Sequence, residues 1–310
     1  MRLDDYRTSD NVEDDRGNGG GFGGGGFGGG GGLIGLLFGL VLSRFGIVGV
    51  LILGLGYCAL SSLGGGGTNM GLAGQGGVAP HQTAARAGGA GSACTVDAAS
   101  RFSCQVLAST EDTWSAILGR SGETYTPTRL VFYTRSDTSG CGAAQSAMGP
   151  FYCPTDGKIY LDTSFYEELS SRFHAAGDFA QAYVIGHEVG HHLQDLLGTL
   201  AKANRMQASG STAEGNAVQV RVELQADCFA GVWAANARNK QGQPVLEAGD
   251  AEEGLRAAAA IGDDTLQQQA QGRVVPDSFT HGTSAQRVKW LRRGLETADP
   301  QQCDTFSGSI

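Results

Sequence analysis

No two of the seven cysteines stand in a C-x-x-C pair, which argues against a cysteine zinc site or a thioredoxin-like redox motif. Basic residues are also too few for nucleic-acid binding: 22 Lys and Arg face 31 Asp and Glu, a net charge of −9. A modest negative balance mainly aids solubility. No internal repeat is visible, so a solenoid or propeller is not expected. Nothing in the sequence indicates an oligomeric state.

Glycine is abundant, with 51 residues, and most of the excess precedes residue 93. Residues 1–17 are polar and charged, and residues 18–32 are almost pure glycine with Phe22 and Phe27. Such a composition cannot bury a core, so residues 1–32 are expected to be disordered. Residues 33–63 are apolar apart from small breaks at Ser43 and Arg44, and the charge-free part from Phe45 to Leu63 approaches the ~20 residues that cross a bilayer. The charged, glycine-rich lead is longer than a signal-peptide n-region, and Tyr57 before Cys58 is too large for a usual lipoprotein site. Arg2, Arg7, Arg16 and Arg44 precede the span, and the next basic residue is Arg86. The expectation is one transmembrane helix at about 45–63, with a cytoplasmic N-terminus and the remainder outside. Residues 64–93 read as a flexible tether.

The globular part is expected at 94–306, as an α+β fold. A helix is expected from about Arg101 to Leu118, with strands at 128–134, 151–153 and 158–162, followed by helices to the end. Six cysteines lie in this part, which fits an oxidising compartment. Cys94 with Cys104 and Cys141 with Cys153 are plausible short-range pairs among fifteen connectivities, and buried free thiols are the alternative, above all for Cys228.

The chemistry concentrates in V-I-G-H-E-V-G-H-H-L-Q. His187 and His191, four apart, share one helix face and can reach one cation, with Glu188 placed to take a proton from water at the metal. Ala182, Ile185, Val189, Leu193 and Leu196 cluster on the other face. Two imidazoles leave zinc short of ligands. Downstream, Val218, Val222, Phe229 and Val232 share a face, with Glu223 and Asp227 across from it. A carboxylate pair on an otherwise apolar helix is costly to bury without a cation or donors. Glu223, with the longer side chain, is expected as the third zinc ligand, and Asp227 as acceptor for a ligand histidine N–H. A solvated carboxylate pair is the plainer alternative. His192 points away from the metal face and reads as structural.

His187-Glu188-x-x-His191 followed by Glu223-Leu-Gln-Ala-Asp227 resembles the gluzincin arrangement of zinc peptidases. With N-V-E-D, F-Y-C-P-T-D, E-L-Q-A-D-C-F-A-G-V-W-A and F-T-H-G-T-S-A-Q-R, the chain resembles the bacterial neutral zinc metallopeptidase family of YpfJ-like proteins. The resemblance implies a zincin-like fold, Zn2+ as cofactor, and a protein or peptide substrate cleaved by zinc-activated water. With the span, it places the chain in the bacterial cell membrane. Thr280-His281 with Arg287 is similar to the T-H-P-x-x-x-x-R element of membrane gluzincins, with Gly282 in place of Pro, which implies an oxyanion-stabilising role for His281. Thr283-x-x-Gln286 also reads as a helix capping box, for which His281 would simply precede the helix. Lys158–Asp162, the last strand before His187, is the candidate edge for a substrate strand. A non-peptide amide hydrolase and a non-enzymatic membrane-tethered module with a structural zinc are the competing readings.

Overall fold

In the computed structural model the described residues are 1–17 and 90–310. They form one compact unit in which both pieces share a core. The elements run in order: β1 (Val12–Asp14), α1 (Ala90–Ala93), α2 (Ala98–Arg120), β2 (Arg129–Phe132), β3 (Ser136–Ser139), β4 (Gly142–Gln145), β5 (Phe151–Cys153), β6 (Lys158–Leu161), α3 (Phe165–Ser171), α4 (Asp178–Leu196), α5 (Thr199–Ser209), α6 (Thr212–Asn236), α7 (Asp250–Ala260), α8 (Asp263–Gln271) and α9 (Ser284–Thr297). The expected α+β class is present: a small sheet beside a helical body.

The first correction concerns the N-terminus. Residues 1–17 are not disordered: β1 pairs in parallel with β2, matching Val12 to Leu130 and Asp14 to Phe132. Met1, Leu3 and Val12 are buried in the main core. Glu111 of α2 anchors the segment, accepting 2.8 Å from Arg7 Nη2 on one oxygen and 2.9 Å from Asn11 Nδ2 on the other. Arg16 grips Asp14 with two nitrogens and reaches the Ala93 carbonyl at 3.0 Å, joining the two described pieces. This packing overturns the single-pass topology with the N-terminus cytoplasmic and the domain outside. A strand cannot hydrogen-bond across a bilayer to the sheet it belongs to. Among the described residues no helix is long and apolar enough to cross a membrane. The expected span at 33–63, Cys58 and most of the 64–93 tether lie outside the described residues.

The sheet order is β1-β2-β6-β5, with β1, β2 and β6 parallel and β5 antiparallel to β6. The middle strands are covered on both faces, so Leu130–Phe132 and Ile159–Leu161 are buried without alternation. Here the second correction arises: 158–162 is not an edge. β6 lies between β2 and β5, because the turn at 154–157, with Gly157 at φ +69°, folds Phe151–Cys153 back onto it. β5 is the edge next to α4. Disulfides join Cys94 to Cys104, Cys141 to Cys153 and Cys228 to Cys303. Cys228 is therefore bonded, and the alternative of a free buried thiol does not hold for it.

The helical body is built on close approach. α6 starts from a capping box in which Ser211 and Glu214 satisfy each other's backbone N–H. From Val220 to Ala234 it is almost wholly buried, between α4 on one side and α9 on the other. Small residues permit this: Gly190 of α4 faces the Ala226 backbone, and Gly294 of α9 faces the Cys228 carbonyl so closely that no Cβ fits. Two helices in such contact bring their side chains to one shared surface.

Candidate metal centre

α4 supplies two imidazoles from one face. Ala182, Ile185, Val189 and Leu193 are buried in the packed face, whereas Leu196, expected there, is exposed at the helix end. His187 and His191 stack edge to face, ring centroids 4.7 Å apart. Across from them α6 presents Glu223, whose Oε2 lies 3.1 Å from His187 Nε2 and 3.5 Å from His191 Nε2. The donor atoms of these three residues all lie within 4.8 Å of one another. Ligands on a tetrahedral ion with bonds near 2.1 Å are separated by about 3.4 Å, which the 3.1 and 3.5 Å separations from Glu223 Oε2 match.

Each donor atom is aimed by a partner. His187 Nδ1–H donates to Asp227 Oδ1 at 2.8 Å, and His191 Nδ1–H donates to Gln194 Oε1 at 2.9 Å, leaving both Nε2 lone pairs for a cation. Gln194 is held in turn, donating to the Val222 carbonyl and to Gln225 Oε1. Gln219 Nε2 occupies Glu223 Oε1 at 2.9 Å, so Oε2 is the oxygen left for the imidazoles.

Asp227 is fully buried and serves as a hub. Besides His187 it accepts from the Tyr183 hydroxyl at 2.6 Å and from Arg287, whose Nε reaches Oδ2 and Nη2 reaches Oδ1, both at 2.9 Å. Burial works to raise its pKa, but the Arg287 and His187 charges overcome that and bring it down to about 2. Glu223 is likewise held well below the usual carboxylate range: burial opposes ionisation, and the charges of His191 and His281 outweigh it. For His187, burial disfavours charge, yet Asp227 and Glu223 lift its pKa to about 10. A pocket that draws a proton so strongly is one whose electrostatics call for a cation.

Glu188 sits on the same turn and is buried, and desolvation pushes its pKa up despite the neighbouring histidines and a backbone N–H from Tyr152 of β5. His192 turns to the opposite side, Nε2 to the Thr126 carbonyl at 2.7 Å and Nδ1 to the Tyr152 hydroxyl at 3.2 Å. His281 is half-exposed in the loop before α9, where the expected Thr283–Gln286 capping box is present. Burial lowers its pKa, but Glu223 and Asp263 raise it by more, so its ring feels the metal face.

Sequence reasoning did not reach Tyr183, Gln194 and Gln219, and it noted Arg287 only as part of a resemblance. Three of these carried a local signal. Tyr183 is one turn before His187, Gln194 one turn after His191, and Gln219 one turn before Glu223. Arg287 arrives from a separate helix, and no spacing announces it.

An α+β domain whose His187, His191 and Glu223 could hold one metal ion has the arrangement of HExxH metalloproteins. The chain belongs to the family described as "Putative neutral zinc metallopeptidase", which it matches over residues 1–306. It is 48% identical over 312 residues to YpfJ of Escherichia coli K12, covering the whole of both chains. It is 44% identical over 223 residues to Rv2575 of Mycobacterium tuberculosis H37Rv, covering 68% of this chain and 73% of that one. No solved structure matches the chain significantly.

Proposed function

We propose that the protein is a zinc-dependent endopeptidase in which His187, His191 and Glu223 hold the ion and Glu188 is the general base. The observation that carries this is the meeting of the three donors, at 3.1 and 3.5 Å around Glu223 Oε2, beside a buried carboxylate with no ligand role of its own. A purely structural site has no use for that fourth group.

When bound, zinc supplies a Lewis acid that acidifies water and polarises the scissile carbonyl. The Glu188 carboxylate accepts the proton of the attacking water and delivers it to the leaving amine; burial raises its pKa toward the range in which both transfers are efficient. Asp227, held by Arg287 and Tyr183, keeps the Nδ1 proton of His187 in place. His281 donates to the carbonyl oxygen as it gains charge. The outer edge of β5, whose Tyr152 N–H meets Glu188, is where an extended peptide would add as a strand.

The test uses the full chain loaded with zinc and a mixed peptide library. Wild type should cleave, and E188Q should keep its zinc and its melting temperature while losing turnover. A fully zinc-loaded wild type that cleaves nothing in the library ends the peptidase reading.

A further inference from the structure

Asp263, the first residue of α8, gathers a whole loop onto one carboxylate. Its Oδ2 accepts three consecutive backbone N–H groups: Thr280 at 2.7 Å, His281 at 2.6 Å and Gly282 at 3.1 Å. Its own N–H returns to the Gly282 carbonyl at 2.9 Å. The other oxygen, Oδ1, lies 3.3 Å from His281 Nδ1, and the Thr280 hydroxyl lies 3.1 Å from the same nitrogen. Both are acceptors for an Nδ1–H, whereas Nε2 has no partner among the described residues.

The loop also has a fixed place against α6. Gly282 adopts φ +89°, and a Cβ there would meet Val220 Cγ1 at 3.1 Å and Leu224 Cδ2 at 3.4 Å. Val220 and Leu224 flank Glu223 on the same helix. A side chain larger than glycine would push the loop off that surface, and φ > 0 would strain it.

We propose that Asp263 is the positioning residue for His281: it pins the 280–282 loop and one ring nitrogen so that Nε2 is presented to the metal centre. The proposal rests on the role given to His281 above. Asp263 touches no reacting atom. It converts a half-exposed histidine, free to change rotamer, into a donor at a defined point, which is what electrostatic stabilisation of a developing charge requires.

The test compares zinc-loaded wild type, D263N, H281A and the double variant. D263N retains an oxygen for the backbone N–H groups. H281A should lower kcat by about 100- to 1,000-fold, as removal of an oxyanion donor does. D263N should lower it by about 10- to 100-fold with KM little changed. Added to H281A, D263N should cost nothing more. A D263N loss that persists at full size in the H281A background overturns the proposal, as does an H281A chain with wild-type kcat. Independently of turnover, 15N spectra of the wild-type His281 ring should show Nδ1 protonated, and D263N should shift that signal. An unprotonated Nδ1, or a ring unmoved by D263N, overturns it too. If wild type cleaves no peptide, the peptidase reading fails on that result, while the ring spectra still decide whether Asp263 holds His281.

Discussion

Gly190 lies directly on Ala226: a Cβ added to Gly190 would stand 2.9 Å from both Cα and the carbonyl oxygen of Ala226. This contact fixes the distance between α4 and α6, and with it the distance from the two imidazoles to Glu223. In an isolated helix Gly→Ala would gain roughly 0.5–1 kcal/mol. Here the added methyl meets backbone, which cannot rotate away, and overpacking of this kind costs about 1–3 kcal/mol. G190A should therefore lower the melting temperature and weaken zinc binding in a chelator competition. A stabilised variant with unchanged zinc affinity would contradict the helix contact.

Asp227 and Arg287 should behave as one unit. Removing either partner leaves a buried charge alone, so D227A and R287A should each cost about 3–5 kcal/mol in denaturant unfolding. The double variant should cost clearly less than the sum, because no orphaned charge remains. D227N, which releases the His187 Nδ1 proton from its acceptor, should weaken zinc binding by about 10- to 100-fold. Additive losses in the cycle would show that the pair does not couple.

Stability should fall on the acid side. Arg16 holds the Asp14 carboxyl below its ordinary value. Burial alone would raise Asp162, but the Ser146 hydroxyl and the backbone N–H groups of Arg135 and Ser164 bring it down. A carboxylate with a depressed folded pKa contributes stability that is complete above its unfolded pKa of about 3.9 and is lost as pH falls through the lower folded value. The contribution of these two carboxylates to the unfolding free energy should thus be level from neutral to about pH 5 and decline below about pH 4. D162N should be less stable at pH 7 and show a shallower acid limb. An acid limb of unchanged slope would rule Asp162 out as a contributor.

Leu3 is only 1% exposed, although it stands in a polar segment of the sequence. L3A should cost about 2–5 kcal/mol, the range for a truncated core leucine. A change within about 0.5 kcal/mol, typical of surface positions, would mean that the N-terminal segment is not part of the core.

The residues that carry the proposed chemistry were legible because their geometry is local. His187 and His191 are one helical turn apart, as are Glu223 and Asp227, and a helix of either sequence places each pair on one face wherever it packs. The same regularity made the acidic pair conspicuous on an apolar helix. The strand expected at 128–134 was readable from β-branched and aromatic residues, and the one expected at 158–162 from the turn signal before it; they are observed at Arg129–Phe132 and Lys158–Leu161.

What remained hidden depends on partners far away in the chain. β1 spans Val12–Asp14, too short to show any period, and it exists because β2 offers a free edge to it. Its place in the sheet, beyond any local pattern, removed the expected topology across a bilayer. Which strand forms the edge beside Glu188 was settled by a turn folding β5 outside β6. Arg287 reaches Asp227, and Asp263 reaches His281, only through helix packing. The sequence by itself determined the candidate donors and the helix faces that display them, since those follow from 3.6 residues per turn. Tertiary structure alone decided that Arg287 and Asp263 reach the site and that its carboxylates are buried, because contacts between distant helices have no signature in spacing.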